Sequence, residues 1–118
     1  MKVKIGNYPT YRFYHHWLYR WFKYAPKQSI KVKIDKWDTH SMDHTLACII
    51  LPMLKQFKAL DHSYPANLTK EEWEEIQNKM IYAFEHKLIE FDDTDPNSYD
   101  KMQEGFELFG AYYQGLWD

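Results

Sequence analysis

Residues 37–58 read "WDTHSMDHTLACIILPMLKQFK". Asp38, His40, Asp43 and His44 crowd the front of this stretch, and an apolar run from Leu46 to Leu54 follows, with Pro52 inside it. The run is apolar on nearly every side of a helix, which predicts a helix starting near Ser41 or Met42 and buried at the centre of the fold. Pro52 has no N–H to give and crowds the carbonyl of Cys48, so a kink or a break is expected there. Cys48 is the only cysteine. It excludes a disulfide within one chain and reads as a small buried hydrophobe.

The corner before the helix has three readings. His40 and His44 are spaced i, i+4, which on a helix presents two imidazoles on one face for a metal. His40 falls ahead of the expected helix start, and Ser41 stands where a zinc-protease helix needs glutamate; no metal is assigned. In the second reading Asp38 or Ser41 caps the helix. In the third the corner binds: free amides at a helix N-terminus suit phosphate, and Trp37 offers a ring for stacking.

Upstream, "SIKVKID" (29–35) alternates strictly, with Ile30, Val32 and Ile34 on one face and Lys31, Lys33 and Asp35 on the other. Val3 and Ile5 alternate with Lys2 and Lys4 in the same way, and Gly6-Asn7 ends that strand. Between the strands, Phe13, Trp17 and Tyr24, with Tyr14, Leu18 and Trp21, recur at helical spacing, predicting a helix from about Pro9 to Lys23. This is a β-α-β start, right-handed if the strands pair in parallel.

Downstream, Thr69 and Glu72 form a capping box ahead of a stripe of Trp73, Ile76, Met80, Ala83/Phe84, Lys87/Leu88 and Phe91. Asp95-Pro96 suits N-cap and N1 of a last helix, whose apolar seam is Tyr99, Met102, Phe106, Phe109, Tyr113 and Leu116. Gly105 and Gly110 weaken this helix or admit a close backbone approach. The fold class expected is α+β: a minimal two-stranded sheet from residues 2–6 and 29–35, about four helices, a mostly helical C-terminal part, and a single domain over 1–118.

The formal net charge of −2 hides a split. Residues 1–36 hold nine Lys/Arg against Asp35 alone, a charge of +8; residues 37–118 hold six basic and sixteen acidic residues, a charge of −10. The basic third is also ring-rich, with Tyr11, Arg12, Tyr14, His15, His16, Tyr19, Arg20 and Lys23 interleaved. Planar rings beside cations suit bases and phosphates, in a small nucleotide or a nucleic acid. The overall pI of about 6.3 disfavours nonspecific duplex binding. The N-terminus has no continuous apolar segment of a secretory signal, and the longest apolar run, nine residues, is too short to span a bilayer. A soluble, cytoplasmic protein with no membrane contact is expected.

Enzyme signatures are sparse. There is no Gly-rich phosphate loop and no Ser/His/Asp spacing of a triad. Glu71-Glu72-x-x-Glu75 with Glu90-x-x-Asp93 is similar to the acidic spacing of MazG-like nucleotide pyrophosphatases, where carboxylates of two helices gather magnesium. On one continuous helix, however, Glu71 and Glu90 stand about 28 Å apart, beyond the reach of one ion.

The block "WDTHSMDHTLA" (37–47), with "KMIYAFE" (79–85) and the ending "GFELFGAYYQGLWD" (105–118), resembles a family of small uncharacterised proteins from large tailed bacteriophages. The resemblance covers most of residues 30–118 and is weaker over the first 28. It implies a phage gene product acting in the cytoplasm of an infected bacterium, and it implies no activity. The family pattern often carries an aromatic at the place of His40, which further weakens a metal role there.

The reading is therefore a non-catalytic phage accessory protein that binds an anionic ligand, a nucleotide by preference, in the manner of counter-defence sequestration of a signalling nucleotide. Trp37 and Tyr19 would stack; Arg12, Arg20 and Lys55 would meet phosphate; Asp38 and Asp43 would order the corner or accept from a base. No catalytic residue, metal ligand or cofactor is assigned. The alternatives are a protein–protein module that inhibits a host enzyme or self-assembles as a homo-oligomer, and a metal-dependent nucleotide hydrolase.

Overall fold

A computed structural model of the chain describes residues 1–6, 21, 29–60, 63–89 and 95–117. The chain divides into two compact units, Met1–His40 and Ser41–Asp118; each is described by itself. The described residues hold a two-stranded antiparallel sheet and three α-helices, an α+β composition. The helix expected from about Pro9 to Lys23 lies, apart from Trp21, outside them.

In the first unit β1 (Lys2–Ile5) pairs with β2 (Ile30–Lys33). The pairing is antiparallel, with Lys2 opposite Lys33, Val3 opposite Val32, Lys4 opposite Lys31 and Ile5 opposite Ile30. The parallel β-α-β crossover is therefore not formed. The chain leaves and re-enters the ribbon at the same end, where the Gly6 N–H donates to the Ser29 carbonyl at 2.6 Å. A Cβ on Gly6 would meet that carbonyl oxygen at 3.2 Å, so the glycine suits the close approach. After β2, Lys36–Asp38 form a single 3-10 turn.

In the second unit α1 spans Met42–Leu60, α2 Lys70–Leu88 and α3 Ser98–Ala111. α1 starts where its sequence predicts, but it runs through Pro52 without a break. It is also not the buried centre of the unit. Only Ala47, Leu51 and Leu54 are buried along it, while Leu46 and Met53 are 41% and 64% exposed. The central element is α2, which packs against both α1 and α3 and buries Trp73, Gln77, Met80, Ala83 and Phe84. One stripe of α1 suffices for one neighbour; Ile50 and Phe57 flank it half-buried, while Leu46, Cys48 and Met53 stay exposed.

The start of α2 follows its sequence closely. The Thr69 hydroxyl oxygen accepts the Glu72 N–H at 3.1 Å, and the Glu72 carboxylate accepts the Thr69 N–H at 3.2 Å, a reciprocal capping box. α3 begins two residues later than an Asp95-Pro96 cap implies. Asp95 instead accepts the Asn97 N–H at 2.9 Å in an Asx turn, and Asn97 occupies the cap position. The expected seam of α3 also shifts at its ends: Tyr99 and Tyr113 are 75% and 64% exposed. Beyond Ala111 the chain tightens into a 3-10 turn at Tyr113–Gly115, and Tyr112, between helix and turn, meets Trp73 edge-on with ring centroids 5.6 Å apart. Phe84 receives Phe106 and Phe109 edge-on at 5.1 and 5.0 Å, so an aromatic cluster joins α2 to α3. Gly105 makes their approach possible: a Cβ there would lie 2.4 Å from the Lys79 carbonyl oxygen and 2.5 Å from the Ala83 Cβ.

Candidate functional site

The alternation of β1 and β2 acquires its meaning from the register. The segments read KVKI and, in reverse order along the chain, IKVK. Antiparallel pairing therefore sets like against like at all four positions. Side chains alternate between faces, so Lys2, Lys4, Lys31 and Lys33 share one face, and Val3, Ile5, Ile30 and Val32 share the other. Opposed Cα atoms in such a ribbon stand about 5 Å apart, and alternate residues along a strand about 7 Å. The result is a two-by-two lattice of lysines on one face, and the four lysines line an open concavity of about 580 Å³ together with Val3, Ile30 and Val32.

Directly opposed like charges destabilise a strand pair. None of these four lysines has a carboxylate within ion-pair distance among the described residues. The neighbouring acids are engaged elsewhere. Asp35 accepts the Met1 α-amino group at 2.8 Å, and Asp38 lies 3.2 Å from the same group. The amine is raised above its ordinary pKa by the Asp35 hydrogen bond first and the Asp38 bond second. Asp38 is lowered below the ordinary carboxylate range, chiefly by the Asp35 backbone N–H that it accepts at 2.7 Å. Asp38 thus closes its own 3-10 turn and does not cap α1.

Trp37 sits on that turn, 71% exposed. The Lys36 Nζ lies 5.6 Å from its ring centroid, and His40 meets it edge-on at 5.8 Å. One face of the indole is thereby partnered by a cation and one edge by an imidazole.

The other residues expected at a site are scattered. Arg12, Tyr19 and Arg20 lie outside the described residues. Asp43, in the first turn of α1, holds Lys87 of α2 at 2.5 Å. That hydrogen bond is the largest cause of the lowered pKa of Asp43, followed by the His44 backbone N–H. Lys55 pairs with Glu85 of α2 at 3.1 Å. Asp43 and Lys55 are twelve residues apart on an unbroken helix, about 18 Å along its axis. The structure brings each to α2 and neither to the other.

The acidic segments gather no ion site among the described residues, where no three His, Cys, Asp or Glu side chains cluster. Glu71, Glu72 and Glu75 lie on the first turns of α2, and Glu90 and Asp93 fall outside the described residues. An apolar cleft of about 300 Å³ opens between Leu46 and Ile50 of α1, Phe84 of α2 and Phe106 and Phe109 of α3, with the Asp43–Lys87 pair at its rim.

Sequence reasoning missed the lysine lattice as a site because each strand read alone is an ordinary amphipathic strand. The signal was present as the mirrored pair KVKI and IKVK, which only antiparallel pairing converts into opposed lysines. No helix among the described residues is long and apolar enough to cross a membrane. In comparisons with known protein families, curated proteins and solved structures, the chain matches none.

Proposed function

We propose that the chain is a non-catalytic phage accessory protein whose basic first unit binds a phosphate-bearing ligand of nucleotide chemistry. The observation that carries this reading is the set of four exposed lysines opposed in register, with no carboxylate in ion-pair distance among the described residues. Like-charge pairs cost stability in the free protein. An arriving polyanion relieves that repulsion, so its binding is favoured by more than the new contacts alone. The exposed Trp37 indole beside Lys36 adds a surface for a base. Phage origin enters through the resemblance of residues 37–47 and 105–118, and a signalling nucleotide of host defence is one ligand with the required charge and ring.

Calorimetric titration of the full chain with ATP and with cyclic dinucleotides tests the reading. Heat of binding that falls as salt rises, and that is lost in a Lys4→Gln/Lys31→Gln variant, is the expected result. Equal affinity in that variant removes the ribbon from the site.

One observation favours a second reading. Val3, Ile5, Ile30 and Val32 on the opposite face are 44%, 58%, 61% and 53% exposed. Such a face suits a protein partner or a second copy of the chain. Sedimentation equilibrium separates the two: association that persists in high salt and is abolished by Val32→Thr belongs to the apolar face, not to the lysines.

A further inference from the structure

We infer that the lysine face of the β1–β2 ribbon is a track for the sugar-phosphate backbone of a single-stranded nucleic acid, with Trp37 as a stacking platform for an unpaired base. This rests on the preceding reading and names its ligand as a chain of nucleotides.

Three features carry it. First, the face is extended and open. Pockets for small ligands enclose most of the ligand surface, whereas the concavity that Lys2, Lys4, Lys31 and Lys33 line with Val3, Ile30 and Val32 is open and leaves a mononucleotide largely in water. An open lattice of cations engages a repeating anion better, because each successive phosphate meets another ammonium group without a further loss of translational freedom. Second, the face is built of lysine. Lysine supplies point charges on flexible stems, suited to following a backbone, where arginine would fix a bidentate geometry. Third, Trp37 follows four residues after Lys33 and is 71% exposed, with Lys36 over its ring. Bases in a duplex are already stacked on one another, so an exposed indole gains a partner only from a single strand.

Fluorescence anisotropy with a labelled twelve-nucleotide thymidylate, using the full chain, tests the inference. Neutralising four phosphates of a single strand gives a log–log salt slope of about −3, and a Lys4→Gln/Lys31→Gln variant should bring it to about −1.4. Trp37→Ala should weaken binding on the order of tenfold while leaving the slope unchanged. Circular dichroism confirms that the variants fold; removal of opposed exposed charges is expected to leave the ribbon intact.

ATP bound as tightly as the oligonucleotide overturns the chain inference and leaves the proposed function standing. A duplex of equal length bound as tightly, or an inorganic polyphosphate of equal charge bound as tightly, also overturns it. An unchanged slope in the double variant removes the lattice as the track. Absence of binding by every one of these probes overturns both the inference and the reading beneath it.

Discussion

Single residues of the ribbon act in pairs. Lys4 stands opposite Lys31, and among the described residues no carboxylate pairs with either. Lys4→Glu converts a repulsive cross-strand pair into an attractive one and is expected to stabilise the ribbon by about 0.2–1 kcal/mol. Amide exchange at residues 2–5 and 30–33 measures this, and slower exchange is the expected result. The same substitution should weaken anion binding, so stability and function move in opposite directions. Glycines give a second contrast. At Gly105 an added Cβ meets α2 backbone, and Gly105→Ala is expected to cost about 1–3 kcal/mol despite the better helix propensity of alanine. At Gly110 nothing lies within 4 Å of the added Cβ, and Gly110→Ala is expected to stabilise α3 by up to about 1 kcal/mol. Chemical denaturation of both variants reads the difference.

At the scale of elements, the legible parts were those set by local chemistry. The capping box of Thr69 and Glu72, the strand alternation around Val3 and Val32, and the start of the helix at Met42 all depend on neighbours within a turn. What was not legible depends on tertiary partners. Whether Cys48 is buried is decided by how many helices flank α1, and the composition of α1 alone does not encode that number. Antiparallel pairing of the ribbon likewise depends on a connection between residues 6 and 29 whose path no strand sequence specifies. Pro52 shows local cost overridden by packing: buried Leu51 and Leu54 flank it within one continuous helix. Because Pro52 is itself exposed, Pro52→Ala is expected to raise the stability of α1 by about 1–3 kcal/mol, visible as a higher denaturation midpoint.

The ion pairs between elements have a defined pH signature. Asp43 is lowered by Lys87 first, and Asp95 by Lys101 first and the Asn97 N–H second. A carboxylate lowered in the folded state contributes stability above its unfolded pKa, and loses that contribution as pH falls through the folded value. Lys101, raised chiefly by Asp95, keeps its contribution until pH climbs through a value above the usual lysine range. The pairs are solvent-exposed, so the effect is small and screened by salt. The thermal midpoint should be flat near neutrality and decline below about pH 4; Asp43→Asn and Asp95→Asn should flatten that decline.

At the scale of the whole molecule, charge is partitioned by unit. Met1–His40 holds nine Lys/Arg against Asp35 and Asp38, while Ser41–Asp118 holds six against fifteen acids. This asymmetry was visible in the sequence, but its focus was not. Lys55, the basic residue expected to carry a site on the helical side, is paired with Glu85 of α2, whereas among the described residues the ribbon lysines have no carboxylate partner. The helical unit is an aromatic scaffold that pairs its Lys55, Lys79 and Lys87 with acids of its own, and the ribbon holds four lysines with no carboxylate partner among the described residues.

The central claim is that this set of unpaired lysines on the ribbon is where the ligand sits. Backbone amide shift mapping of the full chain during titration with a twelve-nucleotide thymidylate at low salt tests it most directly. Shifts concentrated at residues 2–5 and 30–37, saturating together, are the expected result. Saturable shifts confined to residues 42–111, with the ribbon unmoved, would contradict the account.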